Sequence, residues 1–214
     1  MQNVTERSRH ASPAGRPQPL AFNGTTLWMG SWETDRLYAI DPKTWTVTDE
    51  VAAPGKPYGI SVMGAEMRVV VSIGEDDDRY LFRFVPGKGF DESSKTACPD
   101  FTGSHLAFDG TTLYLAQLGL RRIVTLDGAG KVVREVALPT RICGMGFGPA
   151  GFYVISADEE FENLKFATFD IASSAPQLSP IAAVPFDGAR AIAYDGSDWW
   201  TSDREVSEIV SFSV

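Results

Sequence analysis

Leu20-Ala21-Phe22-Asn23-Gly24-Thr25-Thr26-Leu27-Trp28 is written again, almost letter for letter, as Leu106-Ala107-Phe108-Asp109-Gly110-Thr111-Thr112-Leu113-Tyr114. Each copy is an apolar run, an Asn-Gly or Asp-Gly turn and a second apolar run, the strongest short-range signal for a β-hairpin. Upstream of each copy lies a shorter motif: a small residue, any residue, then proline. That motif occurs five times, as Ala11-Ser12-Pro13, Ala52-Ala53-Pro54, Ala97-Cys98-Pro99, Ala137-Leu138-Pro139 and Ala183-Val184-Pro185. Its prolines recur about every 40–46 residues, the period of an architecture that repeats one supersecondary unit.

Within one period the pattern predicts four short strands. In the first they are residues 18–22, 25–31, 36–41 and 46–52, separated by Asn23-Gly24, a short polar loop and the turn Asp41-Pro42-Lys43-Thr44 with proline in its second position. Four antiparallel strands in about 40 residues make one propeller blade. The chain is therefore expected to be all-β, a single five-bladed β-propeller over residues 1–214. Its blades are placed at about 18–52, 58–98, 104–137, 142–184 and 189–214. The fifth blade is one strand short. Val4-Thr5-Glu6-Arg7 precedes the first proline motif as Val47-Thr48-Asp49-Glu50 precedes the second, so residues 3–10 are expected to supply the missing outer strand and close the ring. Closure removes the open sheet edges that invite aggregation.

The chain carries 28 acidic and 19 basic residues, for a formal net charge of −9. Nucleic acid and anionic membrane are disfavoured as partners, because an acidic surface repels both. The first ten residues hold no apolar run of signal-peptide length, and no stretch is long and apolar enough for a membrane span, so the chain reads as cytoplasmic. Cys98 and Cys143 are too few for a disulfide framework and lack a zinc-type spacing; they read as reduced thiols.

In a propeller, the loops leading into the inner strands share one face with those joining the second and third strands of each blade. Inner-strand positions near this mouth are Gln18, Tyr58, Ser104, Cys143 and Arg190, followed by Pro19, Gly59, His105, Gly144 and Ala191. Small residues Ala21, Ser61, Ala107, Gly146 and Ala193 follow where strands crowd. Arg16, Lys56 and Arg141 fall at one equivalent lead-in position, and with Arg190 they make a cationic collar suited to a carboxylate or other anion. The loops between second and third strands are acidic in four blades, including Glu33, Asp35, Asp158 and Asp203. Clustered carboxylates are what Ca²⁺ or Mg²⁺ seeks. Trp28, Tyr114, Tyr153 and Trp200 occupy matching second-strand positions and are expected between blades, whereas Trp32 stands in a loop where it offers a stacking platform. Cys143 and His105 are one register step apart on equivalent strands, which points their side chains to opposite faces and argues against a nucleophile–base pair.

Trp32-Glu33-Thr34-Asp35-Arg36-Leu37-Tyr38-Ala39-Ile40-Asp41-Pro42-Lys43-Thr44 resembles a blade of the glutamine cyclotransferase family, itself a five-bladed propeller. That resemblance implies an activity resting on a carboxylate at a Glu-Gly-Leu type start of an inner strand; the equivalent Tyr58-Gly59-Ile60 and Cys143-Gly144-Met145 carry no acid. Pro57-Tyr58-Gly59-Ile60 and Leu138-Pro139-Thr140 resemble streptogramin-lyase-like propeller repeats, which implies a histidine base beside a metal; the histidines here are His10 and His105. Two functions are expected from these residues. One is a non-enzymatic module binding a small molecule or protein at an acidic-rimmed channel mouth through Trp32, Glu33, Tyr58, His105, Arg141 and Arg190, as monomer or homodimer. The alternative is a metal-assisted transferase, lyase or hydrolase, with Glu33, Asp158 and Asp203 holding the ion.

Overall fold

A computed structural model of the chain describes residues 1–173 and 175–214. Five four-stranded antiparallel sheets stand around one axis, and the inner strand of each touches the inner strands on either side, so the ring is closed. Blade 1 comprises Pro17–Phe22, Leu27–Ser31, Arg36–Asp41 and Thr46–Ala52, from axis to rim. Blade 2 comprises Lys56–Met63, Glu66–Ile73, Asp78–Val85 and Gly89–Ala97. Blade 3 runs through His105–Phe108, Leu113–Gln117, Arg122–Leu126 and Val132–Ala137. Blade 4 runs through Arg141–Gly148, Gly151–Ala157, Lys165–Phe169 and Leu178–Ala183. Blade 5 takes Ala189–Tyr194, Trp199–Asp203 and Glu208–Ser213 from the C-terminus, and its outer strand, Thr5–Ala11, from the N-terminus. Among the described residues no helix is long and apolar enough to cross a membrane.

The closing strand is held twice. Thr5–Ala11 pairs antiparallel with Glu208–Ser213, and the preceding Gln2–Asn3 pairs parallel with Leu178–Ala183, the outer strand of blade 4. The second pairing, absent from the sequence expectation, drops Val4 into the apolar seam between blades 4 and 5. Trp45 of blade 1 adds a third contact: it stacks on His10 with ring centroids 4.1 Å apart and donates Nε1–H to the Ala11 carbonyl.

The repeated small-x-Pro motif has a physical role. In all five copies the residue before proline donates its backbone N–H to the second-to-third-strand hairpin of its own blade: Ala53 to Asp35, Cys98 to Arg79, Leu138 to Arg121, Val184 to Leu164, and Ser12 to Ser207. Proline, which has no N–H to satisfy, then directs the chain back to the axis. Ser12 bonding to Ser207 makes the N-terminal copy part of blade 5. Those hairpins also share a left-handed residue near their ends, at Asp35, Asp77, Arg121, Asn163 and Ser207.

Five apolar clusters fill the five seams between blades. The matched second-strand aromatics lie in them as the sequence implied: Trp28 meets Phe84, Tyr114 meets Phe147 and Phe152, Tyr153 meets Trp199, and Trp200 meets Trp45. Burying a side chain of this size contributes about 1.5–3 kcal/mol. Polar atoms on these rings need partners. Trp200 Nε1 donates to Asp195 Oδ2 at 2.8 Å and Tyr114 Oη donates to Asp109 Oδ2 at 3.0 Å, so one turn carboxylate caps its turn with Oδ1 and satisfies the ring with Oδ2. Blade 1 has Asn23 at that position. Its Oδ1 caps Thr25 and Thr26, and Trp28 Nε1 is left buried with no acceptor among the described residues.

At the axis, main chains nearly touch. A Cβ on Gly144 would stand 2.7 Å from the Ala191 carbonyl carbon, and one on Gly59 3.1 Å from the His105 backbone. The closest approach is thus one residue pair nearer the mouth than the small residues singled out in the sequence.

Two variants check these points. Gly144→Ala is expected to destabilise by about 1–3 kcal/mol, because Ala191 backbone cannot swing aside, while Gly119→Ala, with no atom within 4 Å of the new Cβ, is near neutral; urea titrations compare them. Asn23→Asp supplies Trp28 with the missing acceptor and is expected to raise stability by about 0.5–1.5 kcal/mol, read as a melting-temperature rise of about 1–5 °C.

Candidate functional site

Inner-strand bulges build the mouth. Register slips between Pro17 and Leu20, Pro57 and Gly59, Ile142 and Gly144, and Arg190 and Ala193 put an extra residue into four of the five inner strands at the same height. A bulge interrupts face alternation and re-aims the side chains beside it. It frees Tyr58 and Cys143 from ladder pairing, and Ala191 beside Arg190 adopts φ 57°. Strict alternation, used above to separate Cys143 from His105, therefore does not apply here. The two residues nonetheless make no hydrogen bond to each other among the described residues: Cys143 is buried in the seam of blades 4 and 5, where burial pushes its thiol up. Both cysteines are free, and burial raises the Cys98 thiol to about 12.

Trp32 and Tyr58 lie together, ring centroids 4.3 Å apart, with Trp32 Nε1 donating to the Pro57 carbonyl at 2.7 Å. Arg79 covers the Tyr58 ring at 3.4 Å and pairs with Asp77, which also accepts from Tyr58 Oη at 3.1 Å and from Ser72. Burial pushes the Asp77 carboxyl up, but the Ser72 hydrogen bond and the Arg79 charge outweigh it and hold it below the usual range. Burial likewise raises the Tyr58 phenol.

Around these rings stand guanidinium groups. Arg204 Cζ is 4.8 Å and Arg16 Cζ 5.7 Å from the Trp32 centroid. Arg141 and Arg190 flank Phe161, at 4.8 and 5.3 Å. Arg204 donates to Gln18 Oε1 at 3.2 Å and meets the exposed Glu205 carboxylate at 3.8 Å. Arg141 and Arg121 share Glu159. Arg190 is 8% exposed, donates Nη1–H to the carbonyl of its neighbour Ala189, and forms no ion pair among the described residues.

His105 lies beneath them, buried. Burial first, then the charges of Arg190 and Arg204, pull its imidazole down to about 3, which leaves it neutral across ordinary pH. Burial also lowers Arg204, with the Arg190 charge next in importance. Below His105 the axis is closed: a void of about 10 Å³ among Pro19, Gly59, Met145 and Ala191 is at the lower limit for one water. The mouth therefore leads into no tunnel.

The three expected metal ligands are not brought together. Glu33 is exposed and lies against Gly15; Asp158 is spent on its own loop, accepting from Glu162 N–H at 2.7 Å and Asn163 Nδ2 at 2.6 Å. Asp203 is buried against the Gly188 backbone, its carboxyl raised by burial, and Arg9 and Glu208 on the outer side of blade 5 are the side chains that act on it. Among the described residues no group of three or more His, Cys, Asp or Glu is placed to hold a metal ion. Equivalent position in sequence did not mean equal distance from the axis. Of the expected ligand contacts, Trp32, Tyr58, Arg141, Arg190 and His105 surround the mouth, and Glu33 stands at its exposed edge. Arg204, Phe161 and Arg79 were missed, because each sits in or beside a loop whose acidic neighbours dominate the sequence.

No family model matches the chain, and no curated protein matches it in sequence. Solved structures do match. Hydrazine synthase of Kuenenia stuttgartiensis is 20% identical at a TM-score of 0.57; the match covers 90% of this chain and 57% of that one, so this chain spans little more than half its length. Glutaminyl cyclase of Myxococcus xanthus is 10% identical at 0.74, covering 99% and 96%. Virginiamycin B lyase of Staphylococcus aureus is 10% identical at 0.54, covering 97% and 98%. The chain is a β-propeller resembling these. At such identities the likeness is one of fold.

The buried imidazole sets a pH dependence. Unfolded chains protonate His105 below about pH 6.5, whereas the folded chain refuses the proton until about pH 3. Its contribution is whole above pH 6.5 and is lost as pH falls, at up to about 1.4 kcal/mol per pH unit. Between pH 7.5 and 5 the unfolding free energy of His105→Gln is expected to fall by about 1–2 kcal/mol less than that of the unaltered protein, measured by urea titration at each pH.

Proposed function

We propose that the protein is a non-catalytic binding module that takes a small molecule at the mouth of its plugged axis. The observation that carries this reading is the convergence of Trp32, Tyr58, Phe161, Arg16, Arg141, Arg190 and Arg204 on one face over a neutral, buried His105. Aromatic faces and guanidinium forks are groups that orient ligands, and they are presented here from four different blades. A catalytic reading asks for a base and a partner aimed at one reacting atom. Asp203 is inward and desolvated, as a general base must be, yet it faces loop backbone on the rim side. The metal-assisted transferase, lyase or hydrolase therefore has less support, since Glu33, Asp158 and Asp203 do not converge.

A thermal-shift screen of water-soluble metabolites tests the reading, because a ligand that binds only the folded state raises its melting temperature. Hits are expected whose stabilisation disappears in Trp32→Ala and persists in Tyr194→Phe, a substitution at the opposite end of the axis. Hits indifferent to Trp32 would overturn it. Saturable stabilisation by Ca²⁺ or Mg²⁺ that Asp203→Asn abolishes would move the assignment to the metal-assisted alternative.

A further inference from the structure

Three guanidinium groups meet at the mouth, Arg190 and Arg204 withdrawn from solvent and Arg16 exposed, with the Glu205 carboxylate as their one ion-pair partner among the described residues. Arg190 is buried, and among the described residues its partners are the Ala189 carbonyl and the face of Phe161. Arg204 is largely buried, 4.8 Å from Trp32, with one exposed carboxylate at 3.8 Å. Arg16, exposed, reaches the same Trp32 ring and pairs with no carboxylate among the described residues. Arg190 and Arg16 both lie close enough to act electrostatically on Arg204. Burying like charges together is costly, and a site that retains them pays for it with something bound.

The rest of the molecule shows that the arrangement is not forced by a shortage of acids. The chain has 28 carboxylates and a net charge of −9. Elsewhere most of its arginines are served by them: Arg9 has Glu6 and Glu208, Arg83 has Glu66 and Asp91, Arg122 has Asp100 and Glu135, while Arg134 is served by the Ile171 and Ser173 carbonyls. Of the exposed acids in the mouth loops, Glu205 reaches Arg204 at 3.8 Å, and Glu33 pairs with no guanidinium among the described residues. Below lies His105, held neutral, so the floor adds no further positive charge and, being an imidazole, supplies no counter-charge.

Resting on the reading of the mouth as a ligand site, we infer that its ligand is a compact dianion, a phosphoryl group or a closely spaced pair of carboxylates, seated among Arg16, Arg190 and Arg204 beside Trp32. Such a group offers oxygen edges to more than one guanidinium fork at once, and each charge-assisted bond is stronger than a neutral one. With Glu205 the one carboxylate beside the three guanidinium groups among the described residues, a monoanion leaves part of their positive charge uncompensated. The exposed acids in the mouth loops repel anions that do not reach the guanidinium groups, which favours a small ligand over an acidic polymer.

The test uses the full chain and four probes at matched ionic strength: inorganic phosphate, malonate, acetate and chloride, read by thermal shift and by the tryptophan emission of Trp32. Phosphate or malonate is expected to raise the melting temperature saturably by about 5 °C, with acetate and chloride nearly inert. The better of the two dianions distinguishes a phosphoryl from a dicarboxylate source. Arg190→Met, which keeps the stem and removes the charge, is expected to melt no lower than the unaltered protein without anion and to weaken the dianion about tenfold or more. Arg204→Met gives the same loss of affinity and serves if Arg190→Met does not fold. Equal response to all four probes, or a dianion shift that survives both substitutions, would overturn the inference. A neutral metabolite that binds in a Trp32-dependent way while both dianions are inert would overturn it and leave the binding mouth standing; inert dianions with no Trp32-dependent ligand would sink both.

Discussion

Main-chain contact around the axis is the constraint from which the other features of the molecule follow. Five inner strands close a ring only if neighbouring backbones approach to near van der Waals distance, and at Gly59 against His105 and Gly144 against Ala191 no side chain fits between them. That closeness plugs the axis. It also pushes every large side chain outward into the seams between blades, where five apolar clusters form, or upward to the mouth. Ring closure in turn needs the N-terminal strand, which explains why it is fastened by its own ladder, by Gln2–Asn3 on the next blade and by Trp45 stacking on His10.

Inner-strand bulges connect this crowding to function. Crowded strands cannot carry bulky side chains at the axis, yet Tyr58, Cys143 and Arg190 occupy that height. One extra residue in four of the five strands resolves the conflict by turning side chains off the ladder and toward the mouth or the adjacent seam. Electrostatics then separates by depth. Exposed carboxylates occupy the loop tips, guanidinium groups and rings lie inside them, and at the bottom an imidazole is kept neutral by burial and by the cations above it. An acidic protein thus carries cationic side chains at the centre of its mouth, inside a rim of exposed carboxylates.

Much of the fold was legible in the chain because its signals are local and repeated. The Asn-Gly and Asp-Gly hairpins, the small-x-Pro motif and the alternation between them specify five units of four strands, and the leftover strand at each end specifies closure. Even the matched aromatics of the second strands could be assigned to the seams from their equivalence alone. Part of the mouth was legible too: Trp32 was singled out as a loop tryptophan, and Arg16, Arg141 and Arg190 as a cationic collar.

The chemistry of the mouth was decided only by tertiary structure. Arg204 sits between Asp203 and Glu205 in sequence and reads as one cation in an acidic loop; the fold turns it onto Trp32 and Gln18 and sends Asp203 the other way, beneath Gly188. Phe161 reads as a stray aromatic and becomes the surface shared by Arg141 and Arg190. Period and turn chemistry are written in neighbouring residues, so sequence alone determined the number of blades, their strands and the closure of the ring. Which charges face one another depends on loops brought together from different blades and on a one-residue bulge that redirects their side chains, and a linear pattern carries neither.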